Sequence, residues 1–199
     1  MVSDLINECK KENINIEIKT DKNEGCNINI FNLDVKKNEV YSTVNYTIKA
    51  TKDDKTVFLN SSSINDYKKI IKIIKNNIDA LDSKEKNSFA KNQILNKIKN
   101  SKETIEMNKV LNKLLELNKL KENNKYLSNI EIEYSYLYKN LLIENEKTLL
   151  KDEYGMHTFG ADIVINKNGI NQTSRFFMTT KTFDFDKFKR RIILKIKEA

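Results

Sequence analysis

The chain contains no proline, only 4 glycines, 2 cysteines and a single histidine among its 199 residues. Each shortage excludes something. With no proline and so little glycine, flexible linkers and low-complexity hinges have nothing to be built from, which favours one unit over residues 1–199. Cys9 and Cys26 show neither CxxC spacing nor a neighbouring histidine, so free thiols in a reducing cytoplasm are expected. No apolar run approaches the roughly 18 residues needed to cross a bilayer. Residues Met1 to Ile6 also lack the basic-then-apolar order of a secretion signal. A cytoplasmic location without a membrane partner is the expectation.

The lone histidine, His157, removes most catalytic chemistry. A zinc enzyme needs about three protein ligands and an open position, and an HExxH helix supplies two histidines on one face. Asp152 and Glu153 would add carboxylates to His157, but Gly155 and Gly160 mark that stretch as turn-like, and a lone loop histidine is usually solvated. The glycines at 25, 155, 160 and 169 are too dispersed for a phosphate-binding loop, and no GxSxG elbow is present. Cys9 or Cys26 with His157 would make a nucleophile–base pair, yet no third group is there to orient it. No catalytic, cofactor-binding or metal residue is therefore assigned.

The charge is +8, from 36 Lys+Arg against 28 Asp+Glu. The lysines are spread along the whole chain and alternate with Asn, Glu or Asp, which describes a solvated surface better than a nucleic-acid footprint. Hydrophobic residues make up 39% and charged residues 32%, enough for a buried core under a polar surface.

The apolar pattern alternates between the two periods. Val2, Leu5, Ile6 and Cys9 predict a helix over 2–12, capped by Ser3 or Asp4. Ile14, Ile16 and Ile18 begin strand alternation, which Ile28 and Ile30 resume after Gly25. A turn at Lys37 and Asn38 leads to a strand holding Val40, Tyr41, Val44, Tyr46 and Ile48; Asp53 and Asp54 turn it into Thr56–Leu59. Ser61 to Ser63 end this sheet, and Asn65 or Ser63 caps a helix to about Leu81. Tyr67, Ile70, Ile71, Ile74, Ile78 and Leu81 share one face of it, to be packed on a sheet. Asp82 to Phe89 reads as a connection, and Ile94, Leu95 and Ile98 as a further helical stretch. Ser101 is expected to cap a long helix over Lys102 to Asn123, with Glu103 and Glu106 at its positive end.

In the second half, Ile130, Ile132, Tyr134, Tyr136 and Tyr138 share one face of a strand, with Glu131, Glu133 and Ser135 on the other. The tyrosines are core candidates before they are a base-stacking platform. Leu141 to Ile143 begins another strand. Residues 158–166 and 170–182 form a hairpin about Asn168 and Gly169, a pair suited to positive φ. Asp184 caps a closing helix with Phe185, Phe188, Ile192 and Ile196 on one face. The fold class is α+β: antiparallel sheets packed by amphipathic helices, with the order of a tandem duplication of an α-β-β-β-α unit. Subdomains 1–82 and 101–199, joined by 83–100, would correspond to the copies.

Taken together these segments resemble the N-terminal region of the TldD/PmbA family. The segment Ile130 to Arg175 carries the likeness furthest. A strand of alternating aromatics leads to the Asn-containing run Ile143, Glu144, Asn145, Glu146, Lys147, and a hairpin leads on to Gln172 and Thr173. The strands from Ile16 and the helix from Ser61 to Leu81 are similar to the family's opening elements. Two departures stand out. The family's Arg- and Gly-rich stretch has no counterpart between Val44 and Phe58, and its histidine–glutamate zinc motif belongs to a C-terminal half not represented in these residues.

The resemblance implies a non-catalytic N-terminal domain of a TldD/PmbA-type zinc metallopeptidase or of its partner subunit. Such a domain would wall a chamber for peptide processing and would hold no cofactor, the zinc lying in the other half. Peptide or unfolded protein, together with a paralogous subunit or a second copy, are the implied partners. The family's older label, modulator of DNA gyrase, supplies no residue-level case for DNA binding. A stand-alone protein-interaction module is the alternative, and a basic nucleic-acid binder the weaker one.

Overall fold

The computed structural model describes residues 2–82, 89, 94–98 and 102–198. Residues 83–88 of the expected connection and the Ser101 cap lie outside them. In chain order the elements are α1 (Val2–Lys11), β1 (Asn15–Phe31), β2 (Asp34–Lys52), β3 (Lys55–Ser61), α2 (Tyr67–Asp79), β4 (Ile94–Ile98), α3 (Met107–Asn118) with a 3-10 turn at Lys119–Lys121, β5 (Leu127–Glu144), β6 (Leu149–Lys167), β7 (Ile170–Thr180) and α4 (Phe185–Glu198). The fold is α+β. The strand order is β3-β2-β1-β5-β6-β4, with β7 also on β6. β2–β3 and β6–β7 pair antiparallel, whereas β4 runs parallel to β6.

The chain divides into two units drawn from interleaved segments. The first comprises Met1–Asn23, Ser42–Lys99 and Lys139–Tyr154. Its core joins Leu5 and Cys9 of α1 and Ile70, Ile74 and Ile78 of α2 to Ile14, Ile16, Ile18, Ile48, Ala50 and Val57. The i, i+4, i+8 spacing in α2 and the alternate spacing in the strands each deliver one apolar face to that core.

The second unit comprises Glu24–Tyr41, Asn100–Tyr138 and Gly155–Ala199. Here Val110, Leu114 and Leu117 of α3 and Phe185, Phe188 and Ile192 of α4 share a core with Ile28, Ile30, Ile130, Ile132, Tyr134, Tyr136, Phe159 and Ile163. Tyr134 and Tyr136 are thus core residues and not a stacking platform. The element sequence α-β-β-β-α occurs twice, as α1 to α2 and as α3 to α4. Each copy places the tip of its first hairpin in the unit made mainly by the other copy.

Several boundaries differ from those expected, each for a physical reason. The β1–β2 turn is at Asn32 and Leu33, with φ of 48° and 71°, and Lys37 and Asn38 lie inside β2. Asn32 fixes the turn by bonding to β5: its N–H donates to the Ile130 carbonyl (3.0 Å), and its Oδ1 accepts from the Ile130 N–H (3.0 Å). Helix α2 is capped by Asp66, whose carboxylate accepts from the Lys69 N–H at 3.1 Å. Ser63 is engaged one step earlier, accepting from the Asn65 N–H. Residues 94–98 form a strand, because pairing to the edge of β6 outweighs a spacing that suits either period. Leu141 to Ile143 simply continues β5.

Helix α3 begins only at Met107, and residues 102–106 are not helical, with Lys102 and Glu103 engaged in contacts described below. Its far end is fixed by Asn118, which is fully buried. Asn118 Oδ1 accepts from the Leu33 N–H at 2.7 Å, and Nδ2 donates to the Ile130 carbonyl at 3.3 Å. A buried amide satisfied in this way ties helix to turn, and truncating it would leave orphaned backbone groups. The turn at Asp53 and Asp54 (φ 50° and 62°) and the one at Asn168 and Gly169 (φ 55° and 79°) fall where the sequence puts them.

Gly25 marks a close approach of backbone to backbone. A Cβ there would collide with the Tyr136 carbonyl oxygen of β5 and with the Tyr41 hydroxyl. A carbonyl within a ladder cannot swing aside, unlike a side-chain tip. Gly25→Ala is expected to destabilise the protein by about 1–3 kcal/mol, read as a lowered denaturant midpoint. An unchanged midpoint would show that β1 and β5 do not approach this closely.

Candidate functional site

His157 is not a loop residue. It lies within β6, fully buried, one position in the alternation from Phe159 and two strands from the Cys26 thiol. The glycines that suggested a turn are strand glycines beneath aromatic rings. A Cβ on Gly155 would stand 3.0 Å from the Tyr136 hydroxyl, and one on Gly160 would stand 2.7 Å from the Phe177 ring. A small residue therefore marks a covered spot rather than a bend.

The imidazole sits among Tyr134, Tyr136 and Phe183, with ring centroids 6.1, 4.8 and 6.0 Å away. Nδ1 lies 3.0 Å from the Tyr134 hydroxyl. Burial pushes the Tyr134 phenol far up, so it stays protonated, and its hydroxyl shares this hydrogen bond with Nδ1. Nε2 lies 3.2 Å from Glu103 Oε2 without hydrogen-bond geometry, so it has no hydrogen-bond partner among the described residues. The Glu103 N–H donates to the Tyr136 hydroxyl at 2.9 Å. Lys102 is ion-paired with Glu24. These polar contacts engage Lys102 and Glu103 ahead of α3, which begins at Met107.

This cluster has no nucleophile. Burial raises both thiols, Cys9 to about 11, so neither is a thiolate at neutral pH, and Cys9 belongs to the other core. Glu153 is paired with Lys151 (2.6 Å) and accepts from Asn140 (2.8 Å). No group of three or more metal-ligating side chains is assembled among the described residues. A sealed imidazole bonded to a phenol is a structural tie. Its sequence signal was the matching alternation of Tyr134 and His157 on neighbouring strands, which shows only once the strands are paired.

The opposite face of the same sheet is open. Asn27, Asn29, Glu133, Thr158, Gly160 and Phe177 line a recess of about 250 Å³. Phe177 is 55% exposed and pairs with Gly160 across β6–β7, its ring lying over the glycine. Asn29 Nδ2 donates to Glu131 (2.7 Å) and Glu133 (3.0 Å), leaving its buried Oδ1 without a partner among the described residues. Arg175 grips Asp162 through two bonds of 2.6 and 2.7 Å. Beside this recess β7 forms the edge: it pairs with β6 and with no other described strand.

Fold and site together define an α+β domain with a polar, aromatic-marked sheet face and an open edge. No family model and no curated relative matches the sequence. The fold is shared with solved structures. A chain from Thermotoga maritima, labelled a modulator of a DNA gyrase, superimposes with a TM-score of 0.74 at 11% identity, over 96% of this chain and 45% of that one. TldE from Thermococcus kodakarensis gives 0.72 at 15% identity, over 100% and 47%. A chain from Bacteroides thetaiotaomicron with the gyrase-modulator label gives 0.67 at 9%, over 96% and 48%. At such identities the likeness is one of fold, and this chain spans about half the length of each. The fold expected from the family resemblance is thus the fold observed. No described helix is long and apolar enough to cross a membrane.

Burial holds the His157 imidazole below the usual histidine range, with the Glu103 carboxylate pulling the other way. In the unfolded chain it would titrate near about 6.5. The folded state therefore binds fewer protons between its lowered value and about 6.5, so stability is full above that pH and declines as pH falls through the window. His157→Gln is expected to flatten this segment of the stability–pH curve, followed by denaturant midpoints. An equal slope in wild type and variant would show that His157 takes up its proton alike in the folded and unfolded chain.

Proposed function

We propose that this chain is a non-catalytic domain of a TldD/PmbA-type peptidase, or of its partner subunit, that holds extended peptide along the wall of a peptide-processing chamber in the cytoplasm. The open β7 edge beside the Phe177 recess carries this reading. An edge strand presents unpaired backbone donors and acceptors, and an extended peptide satisfies them by adding as a further strand. Backbone bonding gives affinity with little demand on sequence, as handling of unfolded substrates requires. Phe177 offers an apolar surface to alternate side chains, in a recess it shares with the polar side chains of Asn27, Asn29 and Thr158. The shared fold with TldE supports the assignment, and zinc chemistry would reside outside these residues.

Binding of a fluorescent extended peptide to the 199-residue chain, followed by anisotropy, tests the proposal. Detectable affinity is expected, weakened by roughly 1–2 kcal/mol in Phe177→Ala through loss of an aromatic contact. Methylating alternate backbone amides of the peptide would abolish it, because strand addition depends on those N–H groups. No binding, or binding indifferent to methylation, would sink the reading.

A further inference from the structure

The lysines that run evenly along the sequence are not evenly placed in the fold. In the second unit Lys+Arg and Asp+Glu are equal in number outside α4, so its positive surplus sits on that one helix. From Lys187 to Lys197 every charged side chain of α4 is a cation, and Asp186 and Glu198 stand only at its two ends. Phe185, Phe188 and Ile192 turn one face into the core, which leaves Lys187, Lys189, Arg190, Arg191 and Lys197 exposed. Among the described residues only Lys195 of these cations is ion-paired, to Glu198 at 2.9 Å.

Helix stability does not account for this placement. Lys187 lies in the first turn, at the positive end of the helix dipole, where anions are favoured. It stands three and four residues from Arg190 and Arg191, and Arg191 stands four from Lys195; like charges at these spacings repel. Only Lys195 and Lys197, in the last turn, sit where the dipole favours them. An external anion relieves the rest, and the layout selects its form. The cations lie in a row along about 15 Å of helix axis, which suits a polymer of repeated charge. A nucleic-acid duplex offers a phosphate charge every 1.7 Å or so of its axis, denser than an acidic peptide can reach. The planar forks of Arg190 and Arg191 match phosphate oxygens. The helix holds no Asn, Gln, Ser or Thr to read base edges.

We propose that the exposed face of α4, centred on Arg190 and Arg191, is a docking surface for the phosphate backbone of nucleic acid, bound without regard to base sequence. The peptide reading uses the β7 edge and the recess on the opposite face of the sheet, so loss of either leaves the other standing.

Anisotropy of a short fluorescent DNA duplex, titrated with the 199-residue chain at several salt concentrations, tests it. Four or five phosphate contacts give a slope of log affinity on log salt of about −4. Arg190→Glu with Arg191→Glu is expected to weaken binding about tenfold or more and to flatten that slope by about two. Lys125→Glu with Lys167→Glu changes the net charge equally at the Tyr126 ring, away from α4, and should leave binding within about twofold. The arginine pair should keep the wild-type circular dichroism and denaturant midpoint, since it removes contacts between like charges. If it does not, Arg190→Gln with Arg191→Gln gives the same reading with a smaller loss. A second duplex of unrelated sequence should bind equally. No duplex binding near about 100 mM salt would overturn the proposal. So would equal losses in the two charge-reversed pairs, a strong preference between duplexes, or tighter binding to a poly-glutamate peptide or to phosphatidylserine vesicles.

Discussion

The seam between β1 and β5 is the constraint on which the second unit depends. Gly25 lets the two backbones meet where any side chain would strike the Tyr136 carbonyl, and Asn32 and Ile130 exchange bonds at the other end. Between these points Ile28, Ile30, Ile130 and Ile132 are all but fully buried. Each buried aliphatic side chain of this kind contributes about 1.5–3 kcal/mol of transfer free energy. The seam joins strands about a hundred positions apart in sequence, so its contacts form only after a large loop-closure cost has been met. Once formed, it presents one apolar face to α3 and α4 and leaves the other face polar.

The two faces have different fates. On the buried side, Tyr134, Tyr136 and His157 bring polar atoms into an aromatic core and use them on one another and on residues 102–106. Polar groups in a low-dielectric core are tolerable only when partnered, and His157 Nε2 is a buried ring nitrogen of this core without a hydrogen-bond partner among the described residues. On the open side, Asn29, Glu131, Glu133, Asp162 and Arg175 form a bonded polar surface around Phe177. Pairing Phe177 with Gly160 covers an otherwise bare stretch of strand with an aromatic ring.

The elements recur in the order α-β-β-β-α, and each copy contributes a hairpin tip to the unit centred on the other. The two open edges, β7 and the first part of β2, differ in their side chains. β7 alternates half-buried and exposed residues beside a recess, as a strand receiving an extended guest would. The exposed part of β2 instead carries charges of both signs, Asp34, Lys36, Lys37 and Glu39.

The reading of residues 152–157 shows where sequence reasoning failed. By local preference Gly155 and Gly160 are breakers, whereas in the fold they lie under rings supplied by β5 and β7. The spacing also predicts helix over 102–106, since Glu103 and Glu106 suit a helix start, whereas Glu103 is engaged by Tyr136 and His157 and the helix starts only after Glu106. The two-period apolar pattern and the turns at Asp53 and Asn168 were legible because burial period and positive φ are properties of neighbouring residues. The Asn32 turn, the β4 strand, the burial of His157 and the two unlike edges were decided by tertiary structure alone. Each depends on a bond or an exposure set by residues far along the chain, and local preference carries no trace of it.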